Sequence, residues 1–125
     1  MKIDAPIITR DPSDAADLSL KIEASGFDGL CTFEGPHEPF LPLAVAASNT
    51  KKINLITSIA IAFARNPMLL ANIGYDLQLL SKGRFIMGLG SQIKPHIEKR
   101  FSMPWSSPAN RMRAVSYTHL TLPTT

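Results

Sequence analysis

The fold is decided by the stretch Ile53–Gly90, which reads INLITSIAIAFARNPMLLANIGYDLQLLSKGRFIMGLG. It opens with a β-branched run that carries almost no charge, as is typical of a strand buried on both faces. A helix signal follows, because Asn66 offers an N-cap, Pro67 suits a first helical position and Gly83 suits a stop. The stretch ends in a second short apolar run. A helix between two buried strands is a βαβ unit, which predicts a parallel sheet.

The same alternation of strand and helix precedes this stretch. The first helix is predicted to follow an N-cap at Asp11 and to bury a stripe of Ala16, Leu20 and Ala24. The pattern therefore predicts an α/β fold, either a doubly wound sheet or a (βα)8 barrel. A barrel needs about 250 residues, so this chain would form its N-terminal half. The predicted elements are strands at 1–8, 30–33, 53–61 and 85–89, and helices at 11–25, 41–48, 67–82 and from about 107.

Composition sets the outer limits on function. The chain has 125 residues, of which 45% are hydrophobic and 18% charged, as expected for one globular domain. A single cysteine excludes an internal disulfide, and no metal-ligand cluster is evident. We expect a cytoplasmic protein, because no signal peptide or membrane span is recognisable. The net charge of +3 comes with no aromatic-basic repeat, which favours a small-molecule substrate over nucleic acid.

The last residues differ from the rest of the chain. Residues 114–125 read AVSYTHLTLPTT and contain no Lys, Arg, Asp or Glu. This string resembles the conceptual translation of a transposase sequencing adapter. We therefore expect residues 1–113 to be the N-terminal half of a barrel and 114–125 to be a non-native tail. The alternative is a native polar strand.

Three segments resemble the luciferase-like oxidoreductases, which are (βα)8 barrels that use flavin or the deazaflavin coenzyme F-420. The first joins LITSIA to RNPMLLA, the second is LSKGRFIMGLG, and the third, GSQIKPHIEKRFSMPW, resembles the F-420-dependent branch. Together they span residues 55–105. The resemblance implies an active site at the carboxyl ends of the strands, where such barrels place it.

The resemblance implies a cofactor site after the third and fourth strands. Family members often have a non-prolyl cis peptide against the ring, and the matching pair is Ser58-Ile59, with Ile59 as a wedge that supports the ring. The alternative is a small residue packed in a barrel strand. Gly88 and Gly90 would let the ring approach the backbone, or else form a tight turn. Polar groups that would bond the ring or its tail are supplied by Ser91 and Gln92.

After the second strand, Glu34 and His37 are the candidate catalytic acid and base. A histidine suits proton transfer near neutral pH, and a glutamate does so when desolvated. The family's commonest Asp-His adjacency is absent here. The alternatives are a loop salt bridge for Glu34 and a solvated loop position for His37. We expect Glu38 to support the next helix through its dipole. We expect His96, Arg100 and Trp105 of the long connection to line a substrate entrance or to bind the cofactor's charged tail.

The full-length protein is thus expected to transfer a hydride between coenzyme F-420 and a small organic substrate. One alternative is an FMN-dependent two-component monooxygenase that uses oxygen. A second is a non-catalytic barrel paralogue or inactive fragment. We expect no metal and no membrane partner, and a homodimer when full length. The 125-residue chain alone is expected to be inactive and to self-associate through exposed sheet edges.

Overall fold

The computed structural model describes residues 1–121 and shows four parallel strands in chain order, β1-β2-β3-β4. A doubly wound sheet reverses its strand order at a switch point, whereas this order runs on without reversal, as in a barrel wall. The predicted α/β architecture is confirmed. The strands are β1 (Asp4–Pro6), β2 (Gly29–Thr32), β3 (Asn54–Ile61) and β4 (Phe85–Gly90), and the helices are α1 (Ala15–Ala24), α2 (Phe40–Asn49), α3 (Pro67–Ser81) and α4 (Pro108–Thr121).

The β3-α3-β4 unit forms as its sequence predicts. The Asn66 side chain accepts a hydrogen bond from the Met68 N–H at 2.8 Å, and Pro67 is the first helical residue. At the other end, Lys82 and Gly83 both have left-handed backbone, with φ of 55° and 85°. The last helical residue is Ser81, and the C-cap is Lys82, which adopts the left-handed conformation that glycine favours.

The predicted buried stripe of α1 is wrong. Ala15 and Ser19 are buried, whereas Leu20 is 47% exposed. A 3-10 turn at Pro12–Asp14 precedes α1, and the helix buries a different face from the one expected. The helix packs on α2. The Ser19 hydroxyl is satisfied within the helix because it donates to the Ala16 carbonyl at 3.0 Å.

Arg84 joins three elements at the amino-terminal end of the sheet. Its Nε donates to the Ser81 carbonyl at 2.8 Å. Nη1 reaches the Thr50 hydroxyl and the Ile53 carbonyl, both at 2.8 Å, and Nη2 reaches the Ala47 and Thr50 carbonyls, both at 3.1 Å. The guanidinium thus fastens the end of α2 and the start of β3 to the turn before β4.

Glu23 makes a second connection at the same end. Its carboxylate accepts hydrogen bonds from the backbone N–H groups of Lys51, Lys52 and Ile53 at 3.0, 2.8 and 3.0 Å. Partial burial opposes ionisation, but these N–H groups and the charge of Arg84 outweigh it, so the pKa of Glu23 lies below its ordinary value. The end of α1 is therefore tied to the turn that leads into β3.

The helix α4 runs from Pro108 to Thr121 without a break at Arg113. The described part of the predicted tail is helical, so the alternative of a polar strand is wrong. Val115 is buried. The Nε2 atom of His119 is buried too and has no hydrogen-bond partner among residues 1–121, and this burial lowers the pKa of the imidazole. The non-native origin of residues 114–125 stays a prediction.

Candidate active site at the carboxyl ends of the strands

The carboxyl ends of β2, β3 and β4 meet at one edge of the sheet because the strands are parallel. This edge brings together the predicted residues Glu34, Ile59, Gly88 and Gly90. In (βα)8 barrels the same edge carries the active site. Residues that are up to 56 positions apart in the chain therefore lie at one edge of the sheet.

The end of β3 is irregular. The peptide bond between Ser58 and Ile59 is cis, as the resemblance implies, and the register with β4 shifts between Thr57 and Ala60. The Thr57 side chain replaces the lost ladder contacts: its hydroxyl donates to the Gly88 carbonyl and accepts from the Gly88 N–H, both at 2.9 Å. Ser58 is consequently exposed and Ile59 half-buried at the edge.

Both glycines of β4 make room for β3. A Cβ on Gly88 would overlap the Thr57 carbonyl oxygen, and a Cβ on Gly90 would overlap the Ile59 Cδ1 methyl. Positive φ occurs among the described glycines at Gly26 and Gly83, not at this pair, so neither Gly88 nor Gly90 is required here for a left-handed backbone. The observed reason for these glycines is the close approach of β3. Contact with a cofactor stays a prediction.

Glu34 is joined to the end of β3 and to Arg65. Its Oε1 accepts from the Ile61 N–H and from Arg65 Nη1, both at 2.6 Å, and its Oε2 accepts from Arg65 Nη2 at 3.0 Å. Its own backbone N–H donates to the Ile59 carbonyl at 3.1 Å. The Glu34 side chain is only 7% exposed. The loop salt bridge considered from the sequence is therefore present.

His37 lies on the other side of β2. Its exposed imidazole lines a small depression together with Ile7, Thr9 and Phe33, at the end of β1. Glu34 faces β3, so the structure does not bring the two predicted catalytic side chains together. Glu38 behaves as expected: its carboxylate accepts from the Phe40 and Leu41 N–H groups at 2.8 and 2.7 Å and so supports the start of α2.

Ser91 and Gln92 follow β4 directly and are half-buried. The Ser91 hydroxyl donates to the Gln92 carbonyl at 3.1 Å, and Gln92 has a φ of 58°. Few non-glycine residues adopt that conformation. This local turn redirects the chain away from the sheet immediately after the glycines.

The connection 91–107 folds back toward the strand ends. It contains a π-helix at His96–Arg100, from which Arg100 donates to the Gly35 carbonyl. Trp105 packs edge-on against Phe63, with ring centroids 5.7 Å apart. The guanidinium of Arg111 lies 4.2 Å from the centre of the same Phe63 ring. These contacts form a wall beside β3, where the sequence predicts a substrate entrance.

Two further observations concern the described part of the chain. Between residues 1 and 121 no group of three or more His, Cys, Asp or Glu side chains is placed to hold a metal ion. Over the same residues, no helix combines the length and the apolar character that crossing a membrane requires.

Four parallel strands in chain order, with polar side chains and glycines at their carboxyl edge, are the architecture of the first half of a (βα)8 barrel. The chain belongs to the luciferase-like monooxygenase family, whose sequence model matches residues 3–116. An uncharacterised protein of Mycobacterium bovis is 63% identical over 99 residues, which are 79% of this chain and 29% of that relative. A putative coenzyme F-420-dependent oxidoreductase of Mycobacterium tuberculosis is 33% identical over 103 residues, 82% of this chain and 30% of that one.

Solved structures show the same fold. The coenzyme F-420-dependent tetrahydromethanopterin reductase of Methanopyrus kandleri superposes with a TM-score of 0.80 at 22% identity, covering 94% of this chain and 39% of that one. The oxygenating constituent of 3,6-diketocamphane monooxygenase of Pseudomonas putida, in complex with FMN, gives 0.80 at 16% identity, covering 95% and 38%. The chain thus spans about three-tenths of its sequence relatives' length and corresponds to the first half of such barrels.

Proposed function

We propose that this chain, completed to a full barrel, is an oxidoreductase that transfers a hydride between coenzyme F-420 and a small organic substrate. The observation that carries the proposal is the end of β3, where Ile59 lies across two glycines at the edge where barrels bind their ligands. The F-420-dependent relative and the F-420-dependent structural neighbour support it.

The residues at this edge fit a planar ring. Ile59 presents an apolar, half-buried side chain, and the neighbouring backbone of Gly88 and Gly90 adds no bulk. When bound, the deazaflavin supplies a carbon that accepts or donates a hydride. Ile59 would support the ring face, the Gln92 amide would donate a hydrogen bond to its edge or tail, and the Ser91 hydroxyl, which already donates to the Gln92 carbonyl, would accept one.

Hydride transfer to or from an oxygen-bearing carbon requires a proton to move in the same turnover. His37 is better placed for this than Glu34, because its imidazole is exposed beside a depression at the strand ends. An imidazole also exchanges protons readily near neutral pH. Both Glu34 oxygens, by contrast, already accept hydrogen bonds.

A second candidate is an FMN-dependent monooxygenase that uses oxygen. The specific support is the FMN-bound structural neighbour, which superposes as well as the F-420-dependent one, with a TM-score of 0.80 in both cases. An apolar platform of this kind suits either ring. A non-catalytic barrel paralogue or an inactive fragment is the remaining alternative, and it predicts no cofactor binding even in a complete barrel.

The test is to extend the reading frame beyond Arg113 in the source DNA, express the completed gene and titrate it with F-420 and FMN separately. We expect saturable binding of F-420. Binding of FMN with oxygen consumption would replace this proposal by the monooxygenase, and binding of neither would leave the non-catalytic paralogue. The completed protein is also expected to form a homodimer and to reside in the cytoplasm.

The 125-residue chain provides the matched control. We expect it to bind neither cofactor and to self-associate, because β1 and β4 are the edges of its sheet and Ile86 is 49% exposed. Size-exclusion chromatography and the same titrations check this. A monodisperse monomer that binds cofactor would contradict it.

A further inference from the structure

We infer that Glu34 and Arg65 form a clamp that positions Ile59, so that Glu34 is a positioning residue and not the proton donor or acceptor. The inference rests on the proposed function, because it assigns Ile59 the role of ring support. It concerns how that support is held, and it changes the role assigned to Glu34 from the sequence.

The clamp of Glu34 and Arg65 forms hydrogen bonds with the backbone on both sides of residue 60, at Ile59 and at Ile61. On one side, the Glu34 N–H donates to the Ile59 carbonyl at 3.1 Å. On the other, the Ile61 N–H donates to Glu34 Oε1 at 2.6 Å, and the Ile61 carbonyl accepts from Arg65 Nη1 at 3.0 Å. Residues 59–61 are the last of β3; Ala60 and Ile61 are paired with β4, whereas the pairing of β3 with β2 ends at Thr57. The bonds from Glu34 and Arg65 therefore hold the side of β3 that its pairing with β2 does not reach.

Arg65 is itself fixed from three directions. Its two terminal nitrogens bond both Glu34 oxygens, and Nη2 also reaches Glu38 Oε1 at 3.2 Å. The guanidinium carbon lies 5.0 Å from the centre of the Phe40 ring. With 16% of the side chain exposed, Arg65 is shielded from solvent. A bidentate pair of this kind fixes direction as well as distance.

The same contacts argue against proton transfer by Glu34. Its Oε1 accepts from two donors, which use both lone pairs of that oxygen, and Oε2 accepts from Arg65. A proton arriving at Oε1 would displace the Ile61 N–H or Arg65, and a proton arriving at the second lone pair of Oε2 would remove the negative charge that holds Arg65. Either event would weaken the bonds that hold residues 59–61. The arrangement suits a constant support, not a group that changes its protonation in each turnover.

The expected consequence is a cofactor site that loosens when either partner is removed. Ile59 contacts the surfaces of Gly88 and Gly90, so a shift of its backbone changes the platform directly. Hydrogen bonds to charged groups contribute about 1.5 to 3 kcal/mol to stability. Where the cofactor has to restore the order that such a bond provides, the same free energy corresponds to about tenfold to a hundredfold in affinity.

The experiment compares E34Q, R65M and the double variant in the completed protein, with E98Q at an exposed site as the control. Cofactor affinity is measured by titration, exchange of the Ile61 amide by NMR in the cofactor-free protein, and turnover at saturating cofactor as a function of pH. R65K, which keeps the charge but loses the fork, replaces R65M if that variant does not fold.

We expect each single variant to weaken cofactor binding about tenfold or more and to speed Ile61 exchange, with the double variant no worse than either single one. Turnover at saturation should keep the unaltered pH profile. The clamp is refuted if E34Q lowers saturated turnover by about 10² to 10⁴ while R65M leaves turnover and Ile61 exchange unchanged. If the unaltered protein binds neither cofactor, the proposed function fails, and Ile61 exchange alone still decides whether the clamp exists.

Discussion

At each end of the sheet an arginine and a glutamate bond the backbone, but the two ends use these side chains differently. At the amino-terminal end, Arg84 donates to main-chain carbonyls and one hydroxyl, and Glu23 accepts from three main-chain N–H groups. At the carboxyl end, Arg65 and Glu34 bond each other and share the backbone of Ile61. Arg84 and Glu23 bond different backbone groups, and no hydrogen bond joins their two side chains within residues 1–121. Arg65 and Glu34 bond each other and the same backbone residue.

The difference agrees with the two faces of a (βα)8 barrel. The face at the amino-terminal ends of the strands stabilises the fold, and the face at their carboxyl ends carries the active site. Three of the four carbonyls that Arg84 satisfies, those of Ala47, Thr50 and Ser81, belong to the ends of helices, where carbonyls lack partners within the helix. The fourth, that of Ile53, precedes β3. The groups that Arg65 and Glu34 satisfy belong to an irregular strand end next to a half-buried Ile59. We therefore expect substitutions at the first end to change stability and those at the second to change ligand binding.

The largest effect on stability is expected for R84M. The change leaves four carbonyls and the Thr50 hydroxyl without their donor, which should lower the free energy of unfolding by about 3 kcal/mol. R84K retains the charge but not the planar group of N–H donors, so it should recover only part of the lost free energy of unfolding. Urea denaturation followed by circular dichroism measures both, at low protein concentration. If R65M lowers the free energy of unfolding more than R84M does, the carboxyl end of the sheet and not the amino-terminal end is the more important for stability.

An intermediate effect is expected at the two glycines of β4, which form a matched pair. In G88A the new methyl meets the Thr57 carbonyl oxygen, which is backbone and cannot move aside. Overpacking of this kind costs about 1 to 3 kcal/mol. In G90A the methyl meets the end of the Ile59 side chain, which can rotate.

G88A should therefore lose stability, while G90A should keep most of it and lose cofactor affinity, because Ile59 is displaced. Unfolding midpoints and cofactor titrations of the two completed proteins separate these outcomes. If G90A binds cofactor as the unaltered protein does, Ile59 is not the platform. If G88A unfolds at the same denaturant concentration as the unaltered protein, the contact with Thr57 is not a close one.

Local patterns predicted the elements, and the prediction failed where the outcome depended on distant partners. Asn66 and Pro67 set the start of α3 through contacts within two residues, so periodicity and capping sufficed. The burial of Ser19 in place of Leu20 depends on how α1 meets α2, which helical periodicity does not specify. β1 is only three residues long and pairs with three of the four residues of β2, whereas the apolar run predicts a strand over residues 1–8.

The site shows the same limit. Glu34 and Arg65 are 31 positions apart, and nothing in their local sequence indicates that they pair. A pointer was nevertheless available, because Arg65 directly precedes the Asn66-Pro67 cap and so lies at the carboxyl end of β3, opposite a residue that follows β2. Neighbouring strands in a parallel sheet bring such positions together. Glu38, whose partners lie two and three residues away, was predictable for that reason.

The smallest effect is expected at Glu23 and depends on pH. Because its folded-state pKa lies below the ordinary value of 4.5, its contribution to stability is fully present above about pH 4.5 and is lost as the pH falls through the lowered value. E23Q should thus cost about 1 kcal/mol at pH 7 and progressively less in acid. Thermal unfolding at pH 7 and pH 3 measures the difference, with E98Q as the exposed control. If E23Q lowers the stability by the same amount at both pH values, the charge of Glu23 does not hold the turn before β3. An uncharged side chain of the same shape would then serve equally well at the amino-terminal end of the sheet.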